Sequence, residues 1–235
     1  MHTTKMERAY GRVLNYAKLL ASVLKNTVIH TECIIHKVIT IQALEIIKND
    51  NFQDAYLFFC DFIPELVEGV VWADQDLKCS GHFYSPNTER GLYGNANALS
   101  LAREYYKDAL DSFNEDTSKS LFYLGAALHL VQDMTVPQHA NIRLLNSHRQ
   151  FENFIRENFF STPEFLVDKG GYYMESIDEA VRCNARTSVK IYQRLSYIKD
   201  KQKRYRAISK FILPLAQRST AGCLMKFYRD ISKPF

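Results

Sequence analysis

Residues 121–152 read LFYLGAALHLVQDMTVPQHANIRLLNSHRQFE, and this stretch decides the fold class. Apolar residues recur with helical period from Leu121 through Val131. His129 and Asp133 are four residues apart within that pattern, so both side chains project from one helix face about one turn apart. His148 and Glu152 repeat the spacing on the next apolar-periodic segment. Pro137 is expected to end the first helix and let His139 approach from the turn. Five candidate metal ligands thus fall within thirty-two residues. A lone histidine on an apolar helix face is ordinarily a hydrogen-bonded core residue, so the reading rests on the set. Ligation by nitrogen and oxygen, with no cysteine nearby, suits zinc in a catalytic site rather than in a thiolate structural one.

Outward from this stretch the chain reads as successive helical patterns with short breaks, and only 9 glycines and 6 prolines interrupt 235 residues. An all-α fold is expected, a single multi-helix bundle domain over 32–235 preceded by an N-terminal extension over 1–31. Within that extension Val13, Ala17, Leu20, Ala21 and Leu24 form one amphipathic stripe. Helices are expected from Glu32 to Lys48, from Pro64 toward Asp74, and from Asn95 to Phe113. Asp116 or Thr117 is the expected cap of the ligand helix. Residues 78–94 lack periodicity and read as a long ordered loop. Later, Ser161–Gly171 reads as a connector, Glu175–Tyr197 as a helix, and Ile208–Asp230 as the last helix. Between these two helices, Lys199, Lys201, Lys203, Arg204 and Arg206 read as a solvated basic loop that could meet an anionic lipid surface.

Composition bounds the function classes. At 46% hydrophobic and 13% aromatic content the chain can bury a substantial core. No apolar run of about eighteen residues occurs, so no transmembrane segment is expected. Residues 9–24 carry Arg12 and Lys18 and are not expected to act as a secretory signal. The formal charge of +4 is too small and too dispersed for a nucleic-acid footprint, so no stable nucleic-acid partner is expected. The five cysteines are far apart and form no CxxC pair. They read as small buried hydrophobes and leave the redox compartment open.

The ligand-bearing stretches resemble the zinc-dependent phospholipase C family, the bacterial enzymes that include alpha-toxin-type phospholipases, and more distantly the single-strand-specific zinc nucleases. FYLGAALHLVQDMTVPQHA looks like the family's signature helix and turn, and HRQFENF resembles its HxxxE segment. Upstream, HKVITIQALEIIKND looks like the first ligand helix and adds His36. VVWAD and GHFYSPNT resemble two further segments and add Asp74 and His82, and AQRSTAG resembles part of the last helix. The likeness covers about residues 32–230. It implies a zinc cluster of two to three ions in a cleft. Asp74, His82, His129 and Asp133 would hold one ion, and His139, His148 and Glu152 a second. His36, with Asp133 bridging, would hold the third. It also implies that Asp74 doubles as general base, that the substrate is a phospholipid met in transient membrane-surface contact, and that such proteins are secreted. Clustered dications can clamp a phosphodiester's oxygens, and carboxylates among the ligands offset the repulsion between the ions.

In two places the chain departs from the family pattern. The family completes its third site with the terminal amino group and carbonyl of an N-terminal tryptophan, whereas the only tryptophan here is Trp72. Either the chain is processed near Val23 to Asn26, or the third site is built differently, with His30 as a substitute ligand if the chain breaks helix between His30 and His36. The aromatic residues of the family's choline pocket are replaced by Gln75 and Cys79, which removes cation–π partners for a quaternary ammonium. The expected function is phospholipase C hydrolysis to diacylglycerol and a phosphorylated head group. A single-strand nuclease on the same scaffold is the alternative, and it is disfavoured by Glu152, where the nucleases generally have aspartate, and by the short spacing from His139 to His148. A non-catalytic bundle stapled by metal is a further alternative, but a staple needs about four ligands, not eight.

Overall fold

A computed structural model describes residues 33–75, 81–92, 97–141 and 148–232. The amphipathic stripe of the extension, His30 and Cys79 lie outside the described residues. Among the described residues every regular element is helical and no strand forms, as the periodicity predicts. The helices are α1 (Ile34–Asn49), α2 (Gln53–Cys60), α3 (Ile63–Ala73), α4 (Ala98–Ser112), α5 (Thr117–Asp133), α6 (Pro137–Ala140), α7 (His148–Asn158), α8 (Ile177–Arg194) and α9 (Lys201–Ile231).

α5 is the central element. Every residue from Leu124 to Asp133 is buried, so the helix is enclosed on all sides rather than along one stripe. It starts where Asp116 Oδ1 accepts the Lys119 N–H at 2.9 Å, a cap that satisfies one of the orphan donors of the first turn. α3 and α4 pack along it most extensively. The α3–α5 approach is set by two glycines facing opposite backbones. A β-carbon on Gly69 would stand 1.9 Å from the Phe122 carbonyl oxygen, and one on Gly125 would stand 2.2 Å from that of Leu66. Only hydrogen fits in those gaps. This brings the C-terminal end of α3, with Asp74 as its C-cap residue, close to the ligand-bearing half of α5.

Two apolar clusters surround this axis. One gathers Leu66, Leu124, Leu128, Val181 and Phe227 among others. The second, around Phe151, Phe159, Phe165 and Tyr205, holds α7 against α1 and α9. No described helix is long and apolar enough to cross a membrane.

Three local expectations are corrected. Pro137 does not end the ligand helix but stands in the first turn of the short α6, where its missing N–H costs nothing. α9 begins at Lys201, seven residues before the expected start, because Asp200 Oδ1 accepts the Lys203 N–H at 2.7 Å. The basic run from Lys201 to Arg206 is therefore helical, not a loop. α2 was not anticipated at all; only Ala55 and Phe59 are fully buried in it, which leaves a weak periodic signal.

The connector after α7 is tied to the end of α1 by Asp50. Its carboxylate accepts the Gly170 N–H at 2.8 Å, the Gly171 N–H at 2.8 Å and the Tyr173 hydroxyl. Gly170 has φ +80°, a conformation that favours glycine. Partial burial opposes ionisation of Asp50, but these donors outweigh it and hold its pKa below the ordinary value. A carboxylate with a depressed folded pKa contributes stability above its unfolded pKa and loses that contribution as pH falls through the folded value. Asp50→Asn is expected to cost about 1–2 kcal/mol at pH 7 and less at acid pH. Denaturant melts of both proteins at pH 7 and below pH 3 check this, and an equal gap at both pH values would contradict it.

Candidate metal centre

All eight residues expected as ligands are described, and their side chains converge. Three groups have ligand atoms within 4.8 Å of one another: His36, His129 and Asp133; Asp74, His82 and His129; and His139, His148 and Glu152. They come from α1, the end of α3, the loop at 81–92, α5, α6 and α7, so one helix provides the anchor and its neighbours the remainder.

Asp133 sits at the centre, 3% exposed. Its Oδ2 is 2.9 Å from His82 Nδ1 and 3.2 Å from His129 Nε2. Its Oδ1 is 3.5 Å from His36 Nε2 and 3.8 Å from His139 Nε2. The carboxylate therefore touches all three groups, whereas the sequence reading had it bridge only two. Asp74 Oδ1 lies 3.9 Å from His129 Nε2 at the partly exposed edge. At the other end His148 Nε2 is 3.0 Å from Glu152 Oε1 and 3.1 Å from His139 Nε2.

The donor set fits a cation cluster. His139 Nδ1 is 3.2 Å from the His82 carbonyl oxygen, which can only accept. The proton therefore belongs on Nδ1 and the Nε2 lone pair faces His148. Likewise Asp133 Oδ2 is buried without a well-directed hydrogen bond among the described residues, although two imidazole nitrogens stand within 3.2 Å. Lone pairs and carboxylate oxygens that converge at hydrogen-bond distance without well-directed protons between them are arranged for shared metal ligation.

The electrostatics of these side chains follow from the same crowding. Burial favours the neutral acid for Asp133, but the surrounding His139, His129 and His82 overcome it and hold its pKa well below the carboxylate range. Burial pushes His139 down to about 4 and also lowers His129, both in spite of Asp133. For His82 burial is outweighed by Asp133, and for His148 by Glu152, so both are raised. A neutral imidazole is the form that binds metal.

Two residues that touch the ligands, Cys33 and Gln132, escaped the sequence reading. Cys33, read as a plain core cysteine, points its thiol at Asp74 Oδ2, 3.0 Å away. Burial, together with the neighbouring Asp74 carboxylate, raises its pKa, so it stays a neutral donor. Gln132 Oε1 lies 2.9 Å from His36 Nδ1, and Gln132 Nε2 donates to Thr40 Oγ1 at 3.0 Å. Polar residues next to ligands on an apolar helix were the available signal. Trp72 stacks near Tyr105 and Phe122, with ring centroids 5.6 and 5.3 Å away.

All the ligands except His129 line a cleft of about 700 Å³, and Ile34, Ile35, Ile39, Val136 and Ile155 add apolar surface to its lining. Arg149 and Arg156 also border it.

The fold is similar to that of the alpha toxin from Clostridium absonum, with a TM-score of 0.73 at 21% identity over 85% of this chain and 64% of that one. In sequence the chain is 22% identical to a phospholipase C of Clostridium novyi, over 84% of this chain and 59% of the relative. It is 30% identical to a phospholipase C of Bacillus cereus, over 52% of this chain and 47% of the relative. The chain thus spans only about half the length of the curated relatives it matches. Residues 35–212 match the family described as zinc dependent phospholipase C, a span that takes in all eight converging side chains, and the chain belongs to that family.

Proposed function

We propose that residues 32–235 act as one catalytic unit that hydrolyses the glycerol-side phosphodiester bond of a phospholipid, with two to three zinc ions held by the eight converging side chains. The observation that carries this reading is the position of the cluster in a cleft whose lining also includes Ile34, Ile35, Ile39, Val136 and Ile155 together with Arg149 and Arg156. Such a cleft suits a molecule with a phosphodiester between an apolar body and a polar head.

In this reading His36, His82, His129, His139 and His148 hold metal as neutral imidazoles. Asp133 and Glu152 offset the charge, and Asp74 combines ligation with the role of base. When bound, zinc supplies Lewis acidity that neutralises charge developing on the phosphodiester and makes water a competent nucleophile at neutral pH. Asp74 suits the base role by location: its side chain is 36% exposed, whereas that of His129 beside it is fully buried. One of its oxygens accepts the Cys33 thiol while the other faces His129. The isoleucines of the lining receive the diacylglycerol side, and contact with the membrane is transient. Gln75, directly after Asp74, presents no aromatic face, so a choline head group gains no cation–π contact there.

Asp74→Asn tests the assignment. Losing a base is expected to lower phospholipid turnover by about 10²–10⁴-fold. Turnover like the wild type's, with full metal content, would show that Asp74 has neither role.

A further inference from the structure

We infer that Gln132 is a positioning residue that holds the His36 ring with Nε2 toward Asp133, making the site formed by His36, His129 and Asp133 competent for metal. This rests on the metal-binding reading above.

Gln132 is 1% exposed on α5. A buried amide is costly unless its donor and acceptor are both used. Here both are used, and toward two residues of the same helix, α1. The Thr40 hydroxyl has one proton, which it gives to the His36 carbonyl oxygen at 2.9 Å. It therefore accepts from Gln132, and the amide must present Nε2 to Thr40 and Oε1 to His36. That ordering settles an orientation which an amide alone leaves open. An acceptor 2.9 Å from His36 Nδ1 puts the ring's proton on that nitrogen. The lone pair is then on Nε2, 3.5 Å from Asp133 Oδ1, where it is repelled unless a cation lies between them.

Gln132 and Asp133 are consecutive on α5, so one helix grips the ring from behind and presents the shared carboxylate in front. The His36 ring also lies against that of His129, with centroids 4.3 Å apart. A hydrogen bond to the far nitrogen is how proteins orient metal-binding imidazoles, and losing one weakens metal affinity by roughly 10–100-fold.

The test is zinc titration of the full chain by chelator competition, comparing wild type, Gln132→Met, Gln132→Glu and His36→Ala. Gln132→Met is expected to weaken one class of zinc by about 10–100-fold and leave the rest unchanged. Gln132→Glu restores the acceptor and is expected to recover most of that loss. In the His36→Ala background Gln132→Met should have no further effect on zinc, which a purely structural tie between α1 and α5 would not produce. If Gln132→Met does not fold, Thr40→Val is read in the same way, because it frees the amide to turn and should weaken the same class. Unchanged zinc affinity, an equal loss in the His36→Ala background, or no recovery with Gln132→Glu would overturn the inference. A wild-type chain that takes up no zinc would overturn the metal reading itself.

Discussion

Asp133→Ala is expected to strip the chain of most of its bound zinc and to abolish phosphodiester hydrolysis. The carboxylate lies within 3.8 Å of imidazole nitrogens from four histidines that span all three ligand groups. No other side chain among the described residues reaches so many. Removing it takes away a shared ligand and a buried negative charge at the centre. The effect should therefore exceed the roughly 10–100-fold loss that follows removal of an outer hydrogen-bond partner. Metal analysis after zinc loading and dialysis checks it, alongside thermal melts with and without chelator. The wild type should lose stability on chelation, since ligand binding to the folded state alone is folding free energy. The variant should show little response. Wild-type zinc content in Asp133→Ala would remove Asp133 from the centre.

Gly125→Val should be strongly destabilising although Gly125 ligates nothing itself. In an open helix, replacing glycine with alanine gains up to about 1 kcal/mol. At this position the new β-carbon would stand 2.2 Å from a backbone oxygen of Leu66, which cannot swing aside as a side chain can. Overpacking of this kind typically costs about 1–3 kcal/mol or more, and valine adds two further methyl groups to the clash. A net loss of at least about 3 kcal/mol is expected, equivalent to a drop of roughly 6–12 °C in Tm for a chain of this size. Any chain that does fold must have moved α3 away from α5, carrying Asp74 from His129. Zinc affinity should then fall with stability. A variant as stable as the wild type would mean that the two helices do not meet as described.

What could be read from the sequence follows from the range of each interaction. His129 with Asp133, and His148 with Glu152, are joined by helical periodicity, and His139 follows the turn that Pro137 marks, so five of the ligands were legible within one stretch of sequence. His36, Asp74 and His82 were legible only through resemblance to a family, because their contacts with α5 cross long stretches of chain that no local pattern connects. The Gln132 amide was invisible for the same reason: Thr40 lies 92 residues away. Cys33 looked like an ordinary core cysteine because its partner Asp74 is 41 residues distant. The reciprocal fit of Gly69 and Gly125 is likewise a property of two helices together. The start of α9 failed for a more local reason. The lysines after Asp200 read as solvated coil, although lysine and arginine are good helix formers on an exposed face.

Hydrolysis of a panel of phospholipids beside single-stranded DNA, by the zinc-loaded chain and by the same chain after chelation, tests the central claim most directly. The account predicts release of diacylglycerol and a phosphorylated head group, loss of that activity on chelation, its return with zinc, and no comparable cleavage of DNA. Cleavage of DNA with the phospholipids untouched, or phospholipid hydrolysis that survives complete removal of zinc, would contradict it.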